Sequence, residues 1–293
     1  MFENTPLYSE SWNVAFRKKS VGTILEDKET VFTVIKNNFR YWAADPFVVE
    51  VNGQTYIFAE LYDYFLRKGV LGYCKIQDGK ATKWNAVIQE KHHMSYPCIM
   101  KKGKNIYLMP ETGDANEVAV YQALNFPQNW KKIKVLREQV KYADTTPFKI
   151  SNLSIALTHD VEKPEEPKLT LIDLEDNKRD MVITQSAPFK SRPAGDFFSV
   201  KNKLVRPAQY SEGCGNGYGK GLIFYECQLN DKLEYSENEI LQIFPESLKY
   251  DCNIILDGMH TYNGNDQYEV IDIKTKRFNV LNLFMRIISK FMR

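Results

Sequence analysis

Hydrophobic and polar positions along this chain alternate in short runs, and one run recurs in altered form at intervals of roughly fifty residues. It reads Trp42-Ala43-Ala44-Asp45-Pro46-Phe47 before Gly53-Gln54-Thr55-Tyr56-Ile57-Phe58-Ala59-Glu60, then His93-Met94-Ser95-Tyr96-Pro97-Cys98-Ile99 before Gly103-Lys104-Asn105-Ile106-Tyr107-Leu108-Met109-Pro110-Glu111. Further copies open at Ala143-Asp144-Thr145-Thr146-Pro147-Phe148 and Ser191-Arg192-Pro193-Ala194-Gly195-Asp196-Phe197-Phe198, and a degenerate fifth is Gly258-Met259-His260-Thr261-Tyr262. Each copy starts polar, enters an apolar strand, turns and runs back. Val51-Asn52-Gly53-Gln54 is the clearest hairpin turn, because Asn-Gly readily takes the positive φ angles of a two-residue turn. The pattern predicts an all-β fold, a five-bladed β-propeller over residues 1–277, with one blade per copy. Strands near Asn13–Phe16 and Val31–Ile35 would complete the last blade and close the ring. The charged, Pro-containing stretch 160–167 reads as an exposed loop within the third blade.

The end of the chain follows a different period. In residues 278–293, Asn279, Asn282, Arg286, Ser289, Lys290 and Arg293 fall on one side of a helix, and Val280, Leu281, Leu283, Phe284, Ile287, Ile288, Phe291 and Met292 cover the rest. A basic amphipathic helix of this kind suits the headgroup layer of an anionic membrane, or packing on the propeller or on a second copy of the chain.

Composition narrows the setting. The 293 residues carry a net charge of +2, with no Lys/Arg run interleaved with aromatics, so nothing points to nucleic acid. Seventeen Tyr and seventeen Phe suit a strand-rich fold. Five Cys form no CxxC pair, which favours reduced thiols. The N-terminus has no basic region leading into an apolar run, and no stretch reaches the ~20 apolar residues of a spanning helix. The expected location is the cytoplasm, at the inner face of the membrane if 278–293 binds there.

In a propeller, polar residues at the starts of the innermost strands face a shared funnel. Asp45, His93, Tyr96, Asp144, Arg192, Asp196 and His260 would meet there, with Glu60 and Glu111 at the ends of second strands. Carboxylates beside Arg and His supply a general base, a general acid and a cation clamp. They suit glycosyl chemistry, whose transition state carries positive charge on the sugar. Each residue also has a plainer reading: Asp144 as a turn residue, Asp45 as an extended entry before Pro46, Glu60 and Glu111 as structural ties. Gly213–Gly221 has five glycines in nine residues and could cradle a phosphate or a sugar face, yet it lacks both the Walker and the Rossmann spacing. Arg192 and Arg206 offer planar, bidentate contacts to phosphate. The residues fix no cofactor with certainty; a divalent cation on His93, His260 and the carboxylates is conceivable, and no ligand spacing supports it.

The phrases Tyr41-Trp42-Ala43-Ala44-Asp45-Pro46-Phe47, His93-Met94-Ser95-Tyr96-Pro97 and Tyr107-Leu108-Met109-Pro110-Glu111-Thr112 resemble one propeller family. So do Phe126-Pro127-Gln128-Asn129-Trp130, Ser191-Arg192-Pro193-Ala194-Gly195, Arg206-Pro207-Ala208-Gln209, Tyr218-Gly219 and His260-Thr261-Tyr262. The family is the N-terminal propeller of plant glucosamine inositolphosphorylceramide transferase and its free-standing bacterial relatives. The resemblance runs from about Tyr41 to Asp272. In the plant enzyme a separate glycosyltransferase domain follows the propeller, and no such domain is expected within these 293 residues. The bacterial relatives point to surface-polysaccharide synthesis. A remoter resemblance is to five-bladed family 43 glycosidases, in which an Asp opening the first blade is the general base, as Asp45 would be. The second blade departs from those hydrolases, having Ser95-Tyr96-Pro97 where they carry an Asp.

These readings make transfer of a sugar from an activated donor to a glycan or lipid-linked acceptor the leading expectation. Asp45 would be the general base, with Glu111 or Asp144 as second carboxylate. His93, Arg192 and Arg206 would neutralise the donor phosphate, and Tyr96, Gln209 and Tyr218 would position the sugar. A glycoside hydrolase or phosphorylase, or a non-catalytic glycan-binding propeller, are the alternatives.

Overall fold

The computed structural model describes residues 8–19, 22–150, 153–162, 168–175, 180–184, 189–213, 217–230, 234–253 and 255–278. They form five antiparallel sheets arranged as a five-bladed β-propeller. Blade 1 is built from β3 (Tyr41–Val51), β4 (Gln54–Asp63) and β5 (Lys68–Gln77), with the short β6 (Lys80–Ala81) and β7 (Asn85–Ile88) sharing its outer edge. Blade 2 runs β8 (Ser95–Lys102), β9 (Asn105–Thr112), β10 (Glu117–Asn125), β11 (Asn129–Glu138). Blade 3 is β12 (Tyr142–Ile150), β13 (Leu153–Asp160), β14 (Lys168–Asp173), β15 (Asp180–Thr184), and blade 4 is β16 (Phe198–Val200), β17 (Lys203–Tyr210), β18 (Gly221–Leu229), β19 (Tyr235–Ile243).

Blade 5 closes the ring with both ends of the described chain. Its inner strands are β20 (Leu256–Gly258), β21 (Tyr262–Gly264) and β22 (Tyr268–Phe278), and its outer strands are β1 (Tyr8–Lys18) and β2 (Thr33–Val34). β1 lies antiparallel to β22 from Tyr8↔Phe278 to Lys18↔Tyr268. The expected closing strands at 13–16 and 31–35 are therefore present, the second as the short β2, and they complete the outer part of the last blade. The helix expected over 278–293 lies outside the described residues from 279 onward, and β22 takes in Phe278.

The blades are held by five apolar seams. Along β4 consecutive residues serve alternate seams, because a strand projects side chains to opposite faces. Tyr56 and Phe58 pack against Cys98 and Leu108 of blade 2. Ile57, Ala59 and Leu61 pack against Val14, Phe16 and Val270 of blade 5. A strand covered on both faces must be apolar at every position, which explains the unbroken run Tyr56-Ile57-Phe58-Ala59.

The innermost strands carry the feature that builds the site. Pairing skips a residue between Ala44 and Phe47, Ser95 and Cys98, and Ala143 and Thr146, so blades 1, 2 and 3 each have a bulge at the same place. The residue after the first of each pair takes positive φ: Asp45 (+51°), Tyr96 (+46°), Asp144 (+52°). Such φ values are uncommon outside glycine, and bulges re-aim side chains. Blade 4 has Gly195 there, at φ +142°. A Cβ on Gly195 would stand 1.9 Å from the carbonyl oxygen of Tyr262, so the chain passes blade 5 too closely for any other residue.

Candidate functional site

The three bulges, the ends of β4 and β9 and the start of blade 5 gather acidic groups about the axis. Glu60 and Glu111 occupy one register position, opposite the residue before each bulge: Ala44↔Glu60 and Ser95↔Glu111. The third such position is His159, opposite Ala143.

Asp45 is held from several directions. Its Oδ1 accepts the Thr261 hydroxyl at 2.8 Å and its Oδ2 accepts the Tyr96 N–H at 3.2 Å. His260 Nε2 lies 3.4 Å from Oδ1. Behind the imidazole stands Asp272, with Oδ2 2.7 Å from His260 Nδ1, an ion-pair distance not aligned as a hydrogen bond. Asp272 also accepts the N–H groups of Asp45 (3.0 Å), His260 (2.9 Å) and Thr261 (3.0 Å). Burial raises the Asp45 carboxyl to about 6, against the pull of His260. For His260, burial works against the charge, but Asp272 and Asp45 outweigh it and raise the imidazole above its ordinary value. Trp12 and Tyr218 flank this ring, with centroids at 4.1 and 5.4 Å.

Arg192 organises the other side. Its Nε pairs with Asp144 Oδ2, and its Nη2 lies 3.1 Å from Glu111 Oε2. Gln209 Nε2 donates to the same Asp144 oxygen at 2.9 Å. Glu111 and Arg192 keep 20% and 27% of their side-chain surface, so solvent reaches this part of the cluster. Burial raises Glu111 to about 8, Arg192 opposing and Asp144 adding to the rise. The guanidinium also lies 5.7 Å from the Tyr218 ring. Glu60, raised well above the usual carboxylate range by burial and then by Asp45 and Glu111, faces His93 Nε2 at 3.4 Å. His93 Nδ1 accepts the Gly69 N–H at 2.9 Å, which leaves the proton of the neutral ring on Nε2. Burial lowers the His93 pKa, so this imidazole is neutral at pH 7 and unsuited to balancing a phosphate charge.

The remaining expected residues are placed elsewhere or otherwise engaged. Arg206 is not brought to the cluster. It is 1% exposed inside blade 4, where Nε and Nη2 bind Glu237 at 2.7 and 2.8 Å and Nη1 binds the Ser191 carbonyl, so its cationic fork is already occupied. Tyr96 turns its ring into the blade 1–2 seam, and its hydroxyl meets Thr146 Oγ1 at 2.7 Å. Asp196 accepts the Cys98 thiol across the axis at 3.5 Å, and burial raises it to about 7. This contact joins blade 2 to blade 4. Gly217–Gly221 belongs to the described part of the glycine-rich loop, and there Gly219 approaches Trp12 and His260. Asp272, Thr261 and Trp12 were not singled out by sequence.

Among the described residues Asp45, His260 and Asp272 could converge on a cation, with donor atoms within 4.8 Å of one another. Each of the four carboxylate oxygens already accepts a hydrogen bond, so a cation there would compete with donors already in place, while His260 Nδ1 has no aligned hydrogen-bond partner.

Comparison with known proteins places the chain in a family. Residues 9–272 match the family described as glucosamine inositolphosphorylceramide transferase 1, N-terminal. The chain belongs to that family. It is 27% identical over 244 residues to glucosamine inositolphosphorylceramide transferase 1 of Oryza sativa subsp. indica, covering 79% of this chain and 31% of that protein. The Arabidopsis thaliana protein of the same name is 25% identical over 244 residues, covering 79% and 30%. The chain thus spans about a third of the length of the curated relatives it matches. Among solved structures, the catalytic domain of Coprinopsis cinerea GH62 α-L-arabinofuranosidase superposes with a TM-score of 0.51 at 12% identity, covering 89% of this chain and 97% of that one. A family 117 glycoside hydrolase from Zobellia galactanivorans gives 0.51 at 12%, covering 94% and 93%. A thermostable family-43 glycoside hydrolase gives 0.52 at 10%, covering 80% and 88%. At these identities the likeness is one of fold.

Proposed function

We propose that the axial cluster is the catalytic centre of a sugar transferase of surface-polysaccharide or glycolipid synthesis, moving a glycosyl group from an activated, phosphate-bearing donor to a glycan or lipid-linked acceptor. The observation that carries this reading is the pairing of one partly exposed guanidinium, Arg192, with Glu111 and Asp144 beside the separately held Asp45. Family membership supports it, since the matched plant proteins are named as transferases.

In the proposed step, Asp45 takes the proton of an acceptor hydroxyl. The acceptor oxygen bonds to the anomeric carbon as that carbon's bond to the donor phosphate oxygen breaks, and the electron pair leaves on the phosphate. Arg192 meets the phosphate charge, because a guanidinium fork matches phosphate geometry. Glu111, protonated at neutral pH, donates a hydrogen bond to the departing oxygen. Gln209 and Tyr218 contact the sugar, and Glu60 with His93 fixes the acceptor side. The reaction would take place on the cytoplasmic face of a membrane, with 279–293 as an additional contact.

Hydrolysis is the second reading, favoured by the different proton affinities of Asp45 and Glu111, which suit a base and an acid acting on a glycosidic bond. A melting-temperature screen with nucleotide sugars, sugar phosphates and neutral oligosaccharides, each with and without Mg²⁺ or Mn²⁺, separates the two. A ligand at a hundredfold its Kd adds about 2.7 kcal/mol to stability, enough for a clear shift. Transfer predicts a response to an activated donor. A response to neutral glycans alone counts against transfer, and no response to any of them counts against a sugar site.

A further inference from the structure

The rim of blade 1 carries apolar side chains that the fold leaves in water. Phe39 is 77% exposed, Phe65 55% and Leu66 39%, with the two Phe rings edge to face at 6.3 Å. Phe ordinarily belongs to cores, and adjacent exposed apolar side chains mark a contact surface. The turn cannot fold these side chains away, because it is pinned from beneath. Buried Asp63 accepts the N–H of Phe65 at 2.8 Å and of Leu66 at 3.1 Å, and also binds Arg40 Nε at 2.7 Å.

Below the tips lies a layer of a different character. Trp42 and Tyr62 stack at 4.9 Å with 7° between their planes, and Tyr64 meets Tyr62 edge-on at 6.0 Å. Rings with a polar edge under purely apolar tips reproduce the vertical order of a membrane interface, where Trp and Tyr sit at headgroup level. Cations frame the layer. Arg40, its charge balanced by buried Asp63, still keeps 43% of its side-chain surface, and Arg67 is exposed at the turn with no carboxylate partner among the described residues. Positive charge beside apolar tips complements an anionic lipid surface.

The rim also leads into the site. Trp42 pairs with Tyr62 two positions beyond the Ala44↔Glu60 pair. Tyr62 therefore shares a strand face with Glu60, about 7 Å farther out along it.

We propose that the blade 1 rim, tipped by Phe39, Phe65 and Leu66 and flanked by Arg40 and Arg67, docks on an anionic membrane and admits a lipid-linked acceptor headgroup past Trp42 and Tyr62 to Asp45 and Glu60. The acceptor half of this inference rests on the transferase reading; the docking surface does not.

The test is co-sedimentation of the full chain with phosphatidylcholine vesicles, with and without phosphatidylserine. Wild type should bind the phosphatidylserine vesicles. The Phe39→Ser/Phe65→Ser double variant should bind them at least ~10-fold more weakly, since each Phe forfeits burial of an aromatic ring. Arg67→Glu should weaken only the phosphatidylserine-dependent part. Asp45→Asn should bind vesicles as wild type does, which separates docking from chemistry. Equal binding by wild type and the double variant would place the membrane contact elsewhere and overturn the proposal, as would absence of vesicle binding by wild type. If the double variant instead loses the melting-temperature response to neutral oligosaccharides that wild type shows, the rim belongs to a soluble-sugar site and membrane docking is refuted. Failure of the transferase reading alone would leave vesicle binding intact.

Discussion

Asp272 accepts the backbone N–H of Asp45 at 3.0 Å, across the seam where the closing blade meets the first. The proposed base is thus fixed by a residue on β22, the strand that pairs with β1 to close the ring. Ring closure and site assembly are one event in this fold.

That relationship predicts an unusual cost for a near-isosteric change. Asp272→Asn keeps the shape but puts an NH₂ where one oxygen accepts N–H groups, and removes the charge facing His260. Unpairing a buried charged partner costs about 3 kcal/mol, so a clear fall in melting temperature is expected. The His260 imidazole should titrate lower, since Asp272 is the leading influence that raises it. Thermal unfolding and NMR titration of the His260 ring check the two parts separately.

The two arginines of blade 4 should behave oppositely. Arg206→Met strands Glu237 in the blade interior and should cost about 3 kcal/mol or more of stability, with ligand affinity per folded molecule unchanged. Arg192→Lys keeps a positive charge beside buried Asp144 and should cost less stability than Arg206→Met, yet it should abolish the donor response, because an ammonium lacks the planar fork that matches a phosphate. Paired melting and binding measurements distinguish them.

Sequence alone could not rank these arginines. Both precede Pro in similar phrases, Arg192-Pro193 and Arg206-Pro207, and what separates them is Glu237, which reaches Arg206 from β19 at 31 residues' separation. The bulge residues Asp45 and Asp144 were legible because the repeat displays them beside Pro or Thr at matching places. Asp272 was not: within Ile271-Asp272-Ile273 it reads as an ordinary strand position, and its importance comes from a contact 227 residues away. The ring closure was legible because Asn13–Phe16 and Val31–Ile35 are strands left over once five hairpins are assigned. Asp196 was expected at the centre and lies across it, joined to Cys98.

The carboxyl groups predict a pH signature. Activity should fall below about pH 6 as Asp45 takes a proton, and above about pH 8 as Glu111 loses one. Arg192 holds Glu111 down, so Arg192→Gln should move the alkaline limb upward in whatever activity remains. Stability carries the matching sign. A carboxyl raised in the folded state binds its proton more tightly there than in the unfolded chain. Its contribution is full below the ordinary value of 4.5 and is lost as pH rises through about 8. Glu111→Gln should therefore flatten the stability profile between those limits, as followed by denaturant midpoints across the range.

The most direct test of the account is turnover by Asp45→Asn with the activated donor identified by the melting screen, measured beside donor affinity. Loss of a general base predicts a fall in kcat of roughly 10²–10⁴, with affinity within a few-fold of wild type and the fold intact. Turnover near the wild-type rate would contradict the role given to Asp45 and, with it, the catalytic reading of the axial cluster.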